Sequence, residues 1–521
     1  MTAFSRQAFE SIAIDLFAEM DAHRVTVPES ITSALRARSE RGDLDATEAL
    51  GICYLNAPDR SLAGEGFQLI KRAAEAGDPH AMANLGLCYE LGLGTTADVE
   101  LSISWLQKSA DAGATRGLVQ LGRAYEEGVG LEKDAQKAFE LYAQAAEAGD
   151  GLACAYLGAC YQLGDGVELD LDRAVECYRT GTELGDGRSM AYLADCYEEG
   201  VGVARDMTKA LFWYHKAVDA GDGKAASLLG LVYEHGVGVT ADQSRALALY
   251  EKGALVGDGD ACYYLANFYE TGQGVRRDEE RAFRLYLQAA EDGNAAAMNN
   301  LAMCYEAGKG VGQDIEKMVH WLRQAVDAED SHAMANLGYS YEIGLGVPQD
   351  DQLSYYWYRK AAEAGEVKAF VSLGVCYEFA RGCEASIDEA IHWYRKGAEA
   401  GDGLAMTNLG TCYADGEGVE IDEAQAVYWH RKGREAGDPL AITNLAQCYE
   451  YEIGVARDMN HAFELYLEAA MQDYVLAMAC VGECYQLGTG VEKNLDKARY
   501  WLRRAADGGE ATAAEILRDI G

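Results

Sequence analysis

The sequence predicts an all-α solenoid of about thirteen antiparallel helix pairs, and three observations carry that prediction. A tyrosine recurs as Tyr89, Tyr125, Tyr161, Tyr197, Tyr233, Tyr269, Tyr305, Tyr341, Tyr377, Tyr413, Tyr449 and Tyr485, always 36 residues on, with Tyr54 lying 35 before the first of them. A closing glycine keeps the same step from Gly77 and Gly113 to Gly509, except where Glu329 and Asp473 replace it. An Asp, Ser or Asn slot does the same, from Asp98 through Ser386 to Asn494. A period of this length marks an array in which each unit buries its apolar face on its neighbours.

Taken in order, residues 1–42 precede the array and are expected to form N-terminal capping helices. Phe4, Phe9, Ile12, Leu16, Phe17 and Met20 recur at helical spacing, and Pro28 opens a second segment holding Ile31 and Leu35. The array spans 43–509. In each unit helix A carries Leu-Gly-x-x-Tyr, as in Leu85-Gly86 and Leu373-Gly374, or Ala in the glycine slot, as in Ala194 and Ala266. Mid-helix glycine costs up to about 1 kcal/mol against alanine, so a repeated Gly-or-Ala slot predicts close helix–helix approach. A turn such as Gly200-Val201-Gly202-Val203 ends helix A with glycine in a left-handed conformation. The Asp/Ser/Asn slot then caps helix B, because a short side-chain oxygen can accept the unpaired N–H groups of the first turn. Helix B carries an aromatic pair, Trp213-Tyr214, Trp357-Tyr358 or Trp393-Tyr394, expected to fill space between units. Residues 510–521 read as half a unit, a C-terminal capping helix.

The balance of 45 basic to 85 acidic residues gives a net charge of −40, which disfavours nucleic acid and anionic membranes as partners. No apolar run approaches the roughly 20 residues of a membrane helix, and Arg6, Glu10, Asp15 and Glu19 interrupt the N-terminus, so neither membrane insertion nor a signal peptide is expected. Nine of fourteen cysteines, among them Cys53, Cys88, Cys160 and Cys484, share the slot before the tyrosine; other units place Ala124, Val232, Phe268 or Ser340 there. That pattern predicts buried thiols and, with no C-x-x-C pair, no zinc. Reduced cysteines point to a cytoplasmic setting. The nine histidines are scattered, and the Gly-x-Gly turns follow helices without the Lys-Ser/Thr of a phosphate loop. No enzyme, metal or cofactor is expected.

The quoted residues resemble the Sel-one-like repeat, a member of the tetratricopeptide superfamily: Ala-x-x-x-Leu-Gly-x-x-Tyr, Gly-x-Gly-Val, Asp, then Ala-x-x-Trp-Tyr-x-Lys-Ala-Ala and Gly, over about residues 43–521. The resemblance implies a right-handed α-solenoid superhelix and an adaptor role. A cysteine-rich branch staples each unit with a disulfide whose helix-B cysteine would fall near Ala74, Ala110 or Ala146; none is cysteine.

Solenoids bind along the concave face, so slots that differ between units are the candidates for specificity. One follows the Leu-Gly pair and includes Arg123, Asp195, Asn267, Tyr339, Gln447 and Glu483. Another ends helix A, running from Leu91 and Glu127 to Tyr451 and Leu487. After each tyrosine a carboxylate recurs, including Glu198, Glu234, Glu270, Glu306 and Glu342; it is either an acidic ladder that attracts a basic peptide or an architectural group bonded to its own turn. Asn84, Asn300, Asn336, Asn408 and Asn444 either clamp a peptide backbone or tie adjacent helices. The expected function is a non-catalytic scaffold binding a protein or peptide, basic if the ladder lines the groove. The alternative is a structural spacer or self-assembly module, such as a homodimer through terminal helices.

Overall fold

Two chain reversals recur along the repeats, and in most repeats both are made by capping groups; Ala114 and Tyr474 are exceptions that offer no side-chain cap. At the first, the side chain of Asp206 accepts the backbone N–H of Lys209, and that of Asp242 accepts the N–H of Arg245; Ser386 and Asn494 do the same for Glu389 and Lys497. Each cap contributes about 1 kcal/mol. At the second reversal the residue after the closing glycine caps the next helix A: Asp150, Asp186, Asp222 and Asp402 accept from the third residue beyond.

The structure is a computed structural model that describes residues 28–57 and 59–520. Among them lie thirteen antiparallel helix pairs, from Leu44–Leu55 with Ala63–Glu75 to Val475–Leu487 with Leu495–Asp507, and no strand. A preceding helix, Glu29–Ser39, packs Leu35 on Ala46, Leu50 and Cys53, and Arg72 donates to Ser39 Oγ at 2.8 Å. A last helix, Ala511–Ile520, sets Ala513, Ile516 and Leu517 against the final pair. The helix expected around Phe4–Met20 lies outside the described residues.

Contacts divide the chain into two compact units, one running to Ala297 with Lys309–Val311, the other comprising Met298–Gly308 and the residues from Gly312 on. Inside each, helices A of successive repeats touch one another in several places, whereas comparable contacts between successive helices B are absent among the described residues. Helices A therefore line the inner side of each unit's curve and helices B the outer.

The turn glycines do different jobs. The first takes a left-handed conformation, as Gly92 does at φ 68°. The second lies against the preceding repeat: a Cβ on Gly166 would sit 2.1 Å from the carbonyl oxygen of Ala135, and one on Gly382 within 1.9 Å of that of Asp351. Glycine there lets repeats stack. Where the closing glycine is missing, Glu329 and Asp473 adopt φ of 63° and 61° all the same, so the array imposes the turn on residues that resist it.

Candidate functional site

The small residue in helix A makes room for a ring. A Cβ on Gly230 would lie 2.3 Å from the ring of Tyr250, and one on Gly374 would lie 2.4 Å from that of Tyr394. The close approach expected of this slot is thus the entry of one tyrosine from helix B, buried to 0% exposure in Tyr142, Tyr250, Tyr286 and Tyr394. A buried phenol needs a partner for its hydroxyl, and the carboxylate ladder supplies it. Tyr142 donates to Glu126 at 2.6 Å, Tyr250 to Glu234 at 2.7 Å, Tyr358 to Glu342 at 2.7 Å, Tyr394 to Glu378 at 2.5 Å and Tyr466 to Glu450 at 2.6 Å. Gln162 takes the role for Tyr178 at 2.9 Å. Burial, with the facing carboxylate, pushes these phenols well above their ordinary range.

The ladder's partner is therefore a side chain sixteen residues on, not the backbone of its own turn. Some carboxylates also hold a cation from the next repeat: Lys309 lies 3.4 Å from Glu270, and Arg381 donates to Glu342 at 3.0 Å. Glu306 has no such phenol, because Leu322 fills the tyrosine slot, as Leu106 does opposite Glu90.

The variable slots separate into two classes. The one after the small residue is half-buried in Arg123, Asp195, Asn267, Gln447 and Glu483, while Tyr339 is 48% exposed. Asp195 and Asn267 join the tyrosine system: Tyr214 lies 2.5 Å from Asp195 and 2.7 Å from Glu198, and Tyr286 lies 2.6 Å from Asn267 and 2.7 Å from Glu270. One phenol proton cannot serve two carboxylates; burial, together with Glu198, raises the Asp195 carboxyl to about 6. Arg123 pairs with Glu127 at 3.1 Å, and burial and Glu450 push the Glu483 carboxyl up. The slot that ends helix A is exposed in each of the twelve repeats from Leu91 to Leu487, including Leu163, Ile343, Phe379 and Tyr451, while Asn56 in the first repeat is buried.

Thirteen stretches of the chain, from residues 45–78 to residues 475–510, match the family model described as Sel1 repeat. The chain belongs to the Sel1 repeat family. Among solved structures it is similar to c5321, a protective antigen present in uropathogenic Escherichia coli strains displaying an SLR fold, with 31% identity, 86% of this chain and 97% of that one covered, and a TM-score of 0.56. A Sel1 repeat protein from Oxalobacter formigenes shares 32% identity over 47% of this chain and 96% of its own, with a TM-score of 0.44. No curated protein sequence matches. Sel1 repeat proteins generally mediate protein–protein interaction and are generally non-catalytic.

Against the Sel1 pattern, the eleventh repeat stands out. It has Ala414 where the carboxylate belongs and His430 in the tyrosine slot. His430 is 3% exposed, its Nδ1 has no hydrogen-bond partner, and burial lowers its pKa to about 4. In the asparagine slot, Asn84 donates to Glu48 at 2.5 Å and Asn336 to Asn299 at 2.8 Å, which ties neighbouring Sel1 repeats together. All fourteen cysteines are free and none is exposed; burial pushes the thiols up, Cys53 and Cys196 to about 11. Among the described residues no helix is long and apolar enough to cross a membrane, and no group of three or more His, Cys, Asp or Glu could hold a metal ion.

One recurrent feature of these Sel1 units was missed in the sequence. A Lys or Arg three residues into helix B lies over the recurring tyrosine and beside the N-cap aspartate: Lys209 is 5.0 Å from the Tyr197 ring and 3.5 Å from Asp206, and Arg245 is 5.3 Å from Tyr233 and 3.3 Å from Asp242. The signal was a basic residue twelve positions after the tyrosine, visible in Lys137, Arg173, Lys209, Arg245, Arg281 and Lys317.

Proposed function

We propose that the chain is a non-catalytic scaffold that holds a partner protein or peptide along the inner face that helices A form in each compact unit. The observation that supports this reading is the last slot of helix A, exposed in twelve of the thirteen repeats and varied among them, with Leu163, Ile343, Phe379, Tyr451 and Leu487 each more than half exposed. An invariant exposed position would suit solubility; a varied row of leucine, aromatic and charged side chains suits the reading of a sequence. In the second unit Tyr339 and, half-buried, Gln447 and Glu483 extend that unit's face, as the half-buried Arg123 does in the first. Asp195 and Asn267 act there mainly by positioning Tyr214 and Tyr286. The carboxylate ladder is spent largely on tyrosine hydroxyls; Glu198 and Glu234 attract a basic segment only through the oxygen that the phenol leaves over, and in Glu270 and Glu342 that oxygen already faces Lys309 and Arg381. We therefore place the grip on the varied slots, with a basic segment favoured where ladder carboxylates lack a nearby cation. Free, buried cysteines suit a reducing, cytoplasmic setting.

The test is a proximity-crosslinking experiment in cells of the source organism, comparing the wild-type chain with Tyr339→Ala/Phe379→Ala/Tyr451→Ala. All three side chains are exposed, so folding is expected to survive. Loss of the main crosslinked partners by at least tenfold is expected. Unchanged recovery would refute an inner-face grip, and crosslinks only between copies of the chain would support the spacer or self-assembly reading instead.

A further inference from the structure

On the outer side of the second compact unit the slot before the recurring tryptophan carries an exposed ring in four successive repeats. In helices Ile315–Asp327, Asp351–Glu363, Ile387–Glu399 and Glu423–Glu435 the same slot holds His320, Tyr356, His392 and Tyr428, all exposed, the two tyrosines at 47% and 48%. Each ring stands edge-on against the next residue's indole, with centroids 4.9 Å apart for Tyr356–Trp357 and 5.0 Å for Tyr428–Trp429. Three residues on, in every one of these helices, comes an exposed arginine: Arg323, Arg359, Arg395 and Arg431. A lysine follows at Lys360, Lys396 and Lys432. Positions i, i+3 and i+4 share one face of a helix, so rings and cations form one stripe across four repeats. The first compact unit has Ser104, Glu140, Glu176, Ala248 and Arg284 in the ring slot, broken only by Phe212; in the second, Glu464 interrupts the row and the exposed Tyr500 resumes it beside Trp501, with Arg503 and Arg504 following.

We propose that this stripe docks an extended acidic peptide segment of a partner protein. Charge complementarity sets the occupant: on a chain of net charge −40, a local run of arginine and lysine beside exposed rings is matched by carboxylates flanked by aromatic or proline side chains. Arg359 and Lys432 are paired with Glu363 and Glu435, while Arg323, Lys360 and Arg395 have no ion pair among the described residues. Width selects peptide over nucleic acid. One turn beyond the cations lie Asp327, Glu363, Glu399 and Glu435, exposed, and one turn before the rings lie Glu316 and Asp388. The positive band is thus about one to two helical turns wide, about 5–11 Å, enough for one extended chain, while a polyphosphate backbone with its bases would overlap the flanking carboxylates. The stripe's last repeat opens on a cleft lined by Arg431, Arg434, Tyr449 and His461, with Glu435 and Glu468.

The experiment is fluorescence anisotropy with the full chain and a fluorescein-labelled twelve-residue peptide of four Glu-Pro-Phe triplets, with a Lys-Pro-Phe peptide and a twelve-nucleotide oligothymidine as alternatives. Saturable, salt-weakened binding of the acidic peptide alone is expected, reduced at least tenfold by Arg395→Glu/Lys396→Glu and at least fivefold by Tyr356→Ala/Tyr428→Ala. The inner-face substitutions Tyr339→Ala and Phe379→Ala are expected to leave it unchanged, which keeps the two surfaces distinguishable. If one variant fails to fold, the other decides. No saturation below about 1 mM, indifference to both stripe variants, or tighter binding of the oligonucleotide would overturn the proposal.

Discussion

Asp195→Asn is expected to stabilise the fifth repeat at neutral pH and to do nothing at acid pH. Tyr214 is within hydrogen-bond distance of both Asp195 and Glu198, at 2.5 and 2.7 Å, and can give its proton to one. The Asp195 carboxyl is raised from its ordinary 3.8 to about 6, first by burial, with Glu198, Glu199 and Asp222 adding to it against the tyrosine bond. A carboxyl whose folded pKa lies above its unfolded one contributes stability in full below the unfolded value, and that contribution is lost as pH rises through the folded value. The window here runs from about 3.8 to about 6. At about 1.4 kcal/mol per unit the ceiling is about 3 kcal/mol, and solvent reaching a half-buried site brings it to about 1–2 kcal/mol. The chain itself shows that the amide fits: Asn267 holds the same slot and shares Tyr286 with Glu270. Because a long array does not unfold as one cooperative unit, the assay is amide hydrogen exchange of peptides covering 187–219. At pH 8 exchange in the variant should slow by about tenfold, corresponding to about 1.4 kcal/mol, and the advantage should vanish by pH 4. An equal advantage at both pH values would mean that the effect is packing and not charge; no advantage at pH 8 would refute the shared-proton account.

Tyr250→Phe leaves the half-buried Glu234 without its donor and should cost about 1–2 kcal/mol, seen as faster exchange in residues 223–255 with neighbouring repeats little changed. Glu329→Gly relieves a left-handed non-glycine residue at φ 63° and should gain about 1 kcal/mol after glycine's own entropy cost, raising the thermal midpoint of that part of the array. His430, held neutral with a pKa lowered to about 4 from 6.5 by burial, favours the fold above about pH 6.5 and opposes it as pH falls, because the unfolded chain takes up a proton that the folded chain refuses; loosening on acidification should appear first in residues 403–435. Ala414→Glu with His430→Tyr supplies both halves of the missing pair and should stabilise that repeat by about 1 kcal/mol, whereas either change alone should not; a double-mutant cycle with zero coupling would contradict the tyrosine–carboxylate account.

Much of this protein was legible in one dimension. Caps, turn glycines and the slot before the tyrosine act within a few residues of themselves, so Asp98, Gly92 and Cys88 declare their roles to anyone who follows the 36-residue step. The period itself fixes thirteen helix pairs, because a two-helix unit has no way to bury its apolar face except on a copy of itself. What the sequence left open was which polar groups are already engaged. Glu234 and Tyr250 stand sixteen residues apart on different helices, and nothing in their spacing distinguishes a carboxylate waiting for a ligand from one holding a phenol. Tertiary packing decided it: the glycine of helix A admits the ring, the ring's burial demands an acceptor, and the ladder is drawn into the framework. The same packing leaves the end of helix A in solvent from Leu91 to Leu487. Local chemistry sets where a chain turns, but only the assembled helices determine which side chains have hydrogen-bonding capacity and surface to spare.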